Sequence, residues 1–177
     1  TCLGSLMLMD QIINLLPNPE QGNYHKATTA DGKVEEFVVS EGGVPSAFVW
    51  KTVSDQYGKY SFIKVLSGEI TSDTTLVNAR TGETEKLGRL YSMCGKKATE
   101  VKELSCGDIG AIGKMDKVKT GDTLCDPRKV VSLKGIPYPA PCYSMAIAPK
   151  VKGQEEKVGT GLNRLNDEDP SFSLYNN

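Results

Sequence analysis

Residues 46–68 read SAFVWKTVSDQYGKYSFIKVLSG: two runs rich in Phe, Val, Ile, Tyr and Trp, on either side of Asp55-Gln56-Tyr57-Gly58-Lys59. Two alternating runs around such a turn predict a β-hairpin. In its first arm Ala47, Val49 and Val53 share a face against Phe48 and Trp50. In the second, Ser61, Ile63 and Val65 oppose Tyr60, Phe62 and Leu66. Apolar side chains on both faces mark strands covered from both sides, so the hairpin belongs in the core of a barrel or sandwich.

Short β signals continue outward from it at Thr75–Ala79, Lys86–Met93, Thr99–Leu104, Ile109–Lys114, Asp122–Leu124 and Val130–Leu133. They are punctuated by Gly-bearing turns at 80–83, 95–97, 105–108 and 119–121. That rhythm predicts one antiparallel β domain from about Pro45 to Leu133. Upstream, Leu3, Leu6, Met9 or Ile13, and Leu16 fall near helical spacing, and Pro17-Asn18-Pro19 ends the helix. Residues 21–44 are polar and acidic and read as a linker with one short strand at Glu36–Val39.

Downstream, Ile136-Pro137-Tyr138-Pro139-Ala140-Pro141 is a stiff connector. Beyond it the pattern predicts a strand at Cys142–Ala148, a helix at Gln154–Asp167 and a strand at Ser171–Tyr175. Such a unit cannot bury its own core and is expected to be half of an α+β domain. An exposed Cys142–Ala148 edge would be able to pair with a second copy.

With 177 residues, 38% hydrophobic and 24% charged, the chain is ordinary globular material, and no apolar run approaches membrane-spanning length. The chain reads as an excised piece of a soluble protein. Five scattered cysteines, with no CxxC pair and a single His25, support neither a disulfide scaffold nor a zinc site; buried reduced thiols and a cytoplasmic location are expected. The net charge of −1 divides unevenly: −4 over residues 1–44, +4 over 45–135 and −1 over the tail. So mild an excess on the β domain does not by itself announce nucleic-acid binding.

Catalytic patterns are missing. Gly113-Lys114-Met115 has Asp108 where a phosphate loop needs its first glycine and Met where it needs a hydroxyl, and Gly113-Lys114-Met115-Asp116 lacks the Asn of a guanine-reading NKxD. His25 has no fixed cysteine or carboxylate neighbour. Asp55, Asp108 and Asp122 sit in glycine-bearing turns and are read as bonding local backbone, while Glu155 and Glu156 complement a helix dipole. No catalytic, cofactor or metal residue is assigned.

Specific strings then add what periodicity cannot. Phe48–Lys51, Ser54–Lys59, Lys64–Gly68, Gly107–Ala111 and Thr120–Leu124 resemble, in order and spacing, the second domain of elongation factor G. Ile136–Pro141, Gln154–Lys157 and Leu162–Phe172 resemble the opening of that family's third domain, and Leu6–Pro19 the end of its GTPase domain. The resemblance implies a mainly β chain: a translation-factor-type antiparallel β-barrel, flanked by an N-terminal helix and a C-terminal βαβ half of a ferredoxin-like α+β domain. Its divisions would be 1–44 (end of the GTPase domain, helix 3–16, and linker), 45–135 (second domain) and 136–177 (first half of the third).

It further implies part of a GTPase that promotes ribosomal translocation, in which this chain supplies the barrel that docks on small-subunit rRNA and carries no GTP site. GTP and Mg would belong to the parent. The partners implied are the ribosome, through small-subunit rRNA and protein, and the parent's own GTPase domain, with no membrane. The competing readings are a ribosomal protection protein or GTPase release factor relative, and a stand-alone interaction barrel. Docking on an RNA backbone needs cations at hairpin ends. The candidates are Lys59, Arg80, Lys86, Arg89, Lys96 and Lys97, although Glu83 and Glu85 interleave a hairpin expected to be strongly basic in relatives.

Overall fold

A computed structural model describes residues 2–21, 24–55, 58–115 and 117–175. The side chains of His25 and Asp55, the turn residues Gln56 and Tyr57, and Asp116 lie outside the described residues. The elements are α1 (Ser5–Leu15), β1 (Tyr24–Thr29), β2 (Val34–Val38), β3 (Ser46–Asp55), β4 (Gly58–Ser67), β5 (Ile70–Thr71), β6 (Thr75–Asn78), β7 (Thr84–Lys86), β8 (Leu90–Cys94), β9 (Lys97–Val101), β10 (Glu103–Leu104), β11 (Ile109–Gly113), β12 (Thr123–Cys125), β13 (Val131–Leu133) and α2 (Glu155–Glu168).

The β3–β4 hairpin sits at the centre of an antiparallel sheet of order β7-β6-β12-β3-β4-β11-β8-β9, and β10 pairs with β5 in a separate two-stranded sheet. The larger sheet curls around one core drawn from most of these strands, including Ala47, Val49, Ile63, Val65, Ile70, Leu76, Leu90, Leu104, Ile112 and Leu124. Each larger aliphatic side chain there gains about 2 kcal/mol by leaving water. Mainly β, antiparallel and barrel-forming is what the alternation predicts.

One detail of the hairpin departs from the sequence reading. Val49 pairs with Ile63 and Lys51 with Phe62, so Trp50 is the extra residue of a β-bulge. The bulge reverses the alternation beyond it. Thr52, not Val53, points into the core, and its hydroxyl accepts a hydrogen bond from Thr120 Oγ1 at 3.2 Å. Trp50 itself lies on the outer face, edge-on to Phe62 with ring centroids 5.6 Å apart.

The segment read as a linker is built into the fold. β1 pairs with both β2 and β13 in a second, three-stranded antiparallel sheet. Ala27, Phe37, Val39, Leu66, Val131 and Leu133 form its core, against which Phe48 of β3 packs from the barrel's outer face. This sheet is the reason β3 carries apolar residues on both sides. Lys86–Met93, expected as one strand, is broken between β7 and β8 at Leu87–Arg89. Gly88 there lies so close to the carbonyl of Gly113 that a Cβ would sit 2.5 Å from the oxygen.

The tail is corrected too. Its helix is present, but residues 142–148 and 171–175 form no strand, because among the described residues no segment runs beside them to complete a ladder. Tyr143, Met145 and Ile147 are exposed, as is every residue from 141 to 148. Nor are the cysteines mostly buried: Cys125 is, with Sγ donating to the Val131 carbonyl at 3.4 Å, and Cys106 is half-buried. Cys2, Cys94 and Cys142 lie on surfaces that nothing among the described residues covers, and they are exposed.

Candidate nucleic-acid interface

The six candidate cations do not form one patch. Lys86 ends β7, opposite Thr75, and Arg89 follows it across the Leu87-Gly88 break, so both stand exposed where β7 passes into β8. Lys96 and Lys97 stand exposed on the β8–β9 turn, at the other end of β8. Arg89 Nη1 lies 3.3 Å from Glu100 Oε2, but both side chains are largely in solvent, where such a pair is weak and easily exchanged for a phosphate.

Arg80, whose side chain is half-exposed, and Lys59 are each held by an acid of the protein. Arg80 follows β6, and its guanidinium grips the buried Asp122 through two bonds, Nε to Oδ1 at 2.6 Å and Nη2 to Oδ2 at 2.9 Å. The fully buried Asn78 donates Nδ2 to Asp122 Oδ2 at 2.7 Å, and the Lys119 amide donates to the same oxygen at 2.9 Å. Burial pushes the Asp122 carboxyl up, but the hydrogen bonds from Arg80, the Lys119 amide and Asn78 outweigh it and hold the group below the ordinary carboxylate range. The guanidinium also reaches the Lys117 carbonyl at 3.3 Å. Arg80 thus ties the β6–β7 turn to the loop entering β12. Lys59, one-tenth exposed, is ion-paired through Nζ to Asp167 of α2 at 3.4 Å.

The sequence reading missed Lys117. It lies outside the strand pattern, but the fold brings it to the β6–β7 turn, where Nζ meets Glu83 Oε2 at 2.8 Å. The turn is therefore charge-balanced, with Arg80 and Lys117 matched by Asp122 and Glu83. No periodic signal in the sequence reports a contact 34 residues apart.

Two expectations about turns are met where they can be seen. Asp108 Oδ2 accepts the Ser105 amide at 2.9 Å, and Asp122 binds the Lys119 amide as well as its distant partners. Gly113-Lys114 does not fit a nucleotide phosphate: it ends β11, among the described residues no helix directly follows it, and the Lys114 amide is already bonded to the Lys59 carbonyl at 3.0 Å. Among the described residues no group of His, Cys, Asp and Glu is placed to hold a metal ion, and no helix is long and apolar enough to cross a membrane.

Comparison with known proteins places these elements in a wider frame. Residues 45–127 match the family described as Elongation factor G domain 2, and residues 138–177 match the one described as Elongation Factor G, domain III. Elongation factor G 2 of Shewanella denitrificans and elongation factor G 1 of Synechocystis are each 34% identical to 97% of this chain. The chain spans about a quarter of the length of those relatives. A crystal structure from Thermus thermophilus shares the fold with a TM-score of 0.72 at 25% identity, over 97% of this chain and 24% of that one.

Proposed function

Because the chain belongs to the elongation factor G family, we propose that its barrel is the module that seats a translocation-promoting GTPase on the small ribosomal subunit, acting in the cytoplasm. The observation that carries this reading is the ordered match of two successive domain families across 45–127 and 138–177, on a barrel whose exposed ends bear lysine and arginine. GTP binding and hydrolysis, with their Mg, are assigned to the parent's GTPase domain, which is also this chain's partner within the parent. The region 1–44 would end that domain, 45–135 would form the second domain and 136–177 would begin the third.

The docking chemistry follows from the distribution of cations. Phosphate contacts position a protein on RNA without reading sequence, and they need side chains that can leave water and rotate onto an oxygen. Lys86, Arg89, Lys96 and Lys97 meet that requirement as exposed side chains. Lys59 and Arg80, taken up by Asp167 and Asp122, serve the footprint only by shaping the surfaces beside it.

The test is binding of this chain to purified small ribosomal subunits across a salt series. Affinity is expected to fall with salt, and Lys86→Glu with Arg89→Glu to weaken it and flatten the log–log slope by about 0.7–0.9 for each phosphate contact removed. Binding and slope unchanged in the double variant would take the β7–β8 junction out of the footprint.

A further inference from the structure

The last turn of α2 carries Asp167 and Glu168 and no basic residue, and the C-cap is Asp169. Acids are electrostatically misplaced there, because that end of a helix already carries partial negative charge from its unpaired carbonyls. What offsets the misplacement is on the barrel. Glu168 Oε1 accepts the backbone N–H of Ser54 at 2.6 Å, and Asp167 Oδ2 pairs with Lys59 Nζ.

The Ser54 amide is an orphan of the sheet. β12 covers β3 only along 46–48, so among the described residues no strand lies beside the far end of β3 on that side. On the other side the carbonyl of Lys59, opposite Ser54, is taken by the Lys114 amide. An unpaired edge N–H and an ammonium one-tenth exposed therefore stand together, and α2 supplies a carboxylate to each.

We propose that Asp167 and Glu168 form an interdomain latch that fixes α2 on the β3–β4 hairpin. The latch is polar and reversible. No residue of α2 is buried and Leu165 is 54% exposed; Val158, Gly159 and Leu162 are only half-buried, as are residues 166–168, which carry the polar contacts to the barrel. The connector of residues 134–142, with its three prolines, is exposed throughout and imposes no second point of attachment. Opening the latch frees α2 to swing on that connector while the barrel stays folded, so the barrel and the tail can change their relative orientation at small cost.

Amide hydrogen exchange of the full chain, read at single residues by NMR, tests this without any ribosome, so it can fail independently of the docking proposal. Glu168→Ala is expected to speed exchange at Ser54 on the order of tenfold, the factor that loss of one charge-assisted hydrogen bond carries. The amides of Val49 and Val65, bonded to the carbonyls of Asp122 and Asp108, should be unaffected and report that the barrel is intact. Added sodium chloride should speed Ser54 in the wild-type chain, and small-angle scattering should show a larger radius of gyration for Asp167→Asn with Glu168→Ala. Equal Ser54 exchange in wild type and Glu168→Ala, or equal dimensions of wild type and the double variant, overturns the latch.

Discussion

Asp122 shows at the scale of one residue how a surface cation can be committed to structure. Its carboxylate is almost fully buried and takes hydrogen bonds from a guanidinium, a side-chain amide and a backbone amide. Replacing it with Ala leaves Asn78 Nδ2 and the Lys119 amide without their acceptor and Arg80 without its counter-ion. Urea unfolding should show a loss of about 2–3 kcal/mol, below the full figure for a buried ion pair because Arg80 is half-exposed. The pH dependence has a definite sign. The folded carboxyl titrates below its ordinary value, so its contribution is complete above that value, about pH 4, and disappears as the pH falls through the folded value. A wild-type stability curve steeper than that of Asp122→Ala below about pH 4 is the expected result; parallel curves would deny Asp122 this role. Only the local half of this cluster was legible in the sequence. A turn Asp beside Gly121 announces its bond to Lys119, but nothing in the pattern announces Asn78, 44 residues away.

Among the elements, β1 is the strand of the three-stranded sheet that periodicity missed, although β2 and β13 were expected at Glu36–Val39 and Val130–Leu133. Among the described side chains of β1 and β2 only Ala27 and Phe37 are buried, so the alternation is weak. Phe37 nonetheless anchors a cluster with Ala27, Val39, Leu66, Val131 and Leu133. Phe37→Ala should cost about 3 kcal/mol and lower the urea midpoint of the whole barrel, because Leu66 and Phe48 belong to its central hairpin. A variant as stable as wild type would return this region to the linker that its composition suggests. Strands such as β4 and β6 were legible because they carry core residues at period two, whereas β7 and β9 bury no residue. The bulge at Trp50 was not, since one extra residue leaves the composition of the run unchanged and only reverses which side faces in. The tail strands failed for the opposite reason. Tyr143, Met145 and Ile147 have the alternation, but a strand also needs a neighbour to bond.

Over the whole molecule, charge and apolar surface are distributed by different rules. α1 has Leu6, Met7, Met9 and Ile13 in solvent and no buried residue, and the chain is tied back to the barrel just after it, where Pro19 sits on Gly107 (φ 91°). The four candidate cations proposed for docking form two pairs at opposite ends of β8, a five-residue strand about 17 Å long. Two pairs that far apart, beyond the Debye length of about 8 Å in physiological salt, do not influence each other through solvent and cannot both meet one short stretch of phosphates. If both touch RNA, they touch separate parts of its backbone, and their effects must add. The expected outcome is that Lys86→Glu with Arg89→Glu and Lys96→Glu with Lys97→Glu each flatten the salt slope of small-subunit binding, and that the fourfold variant shows the sum of the two changes. A fourfold variant no worse than one of the doubles would mean that only one end of β8 faces the ribosome. The barrel would then dock edge-on, through either the β7–β8 junction or the β8–β9 turn, with the other end of the strand left in solvent.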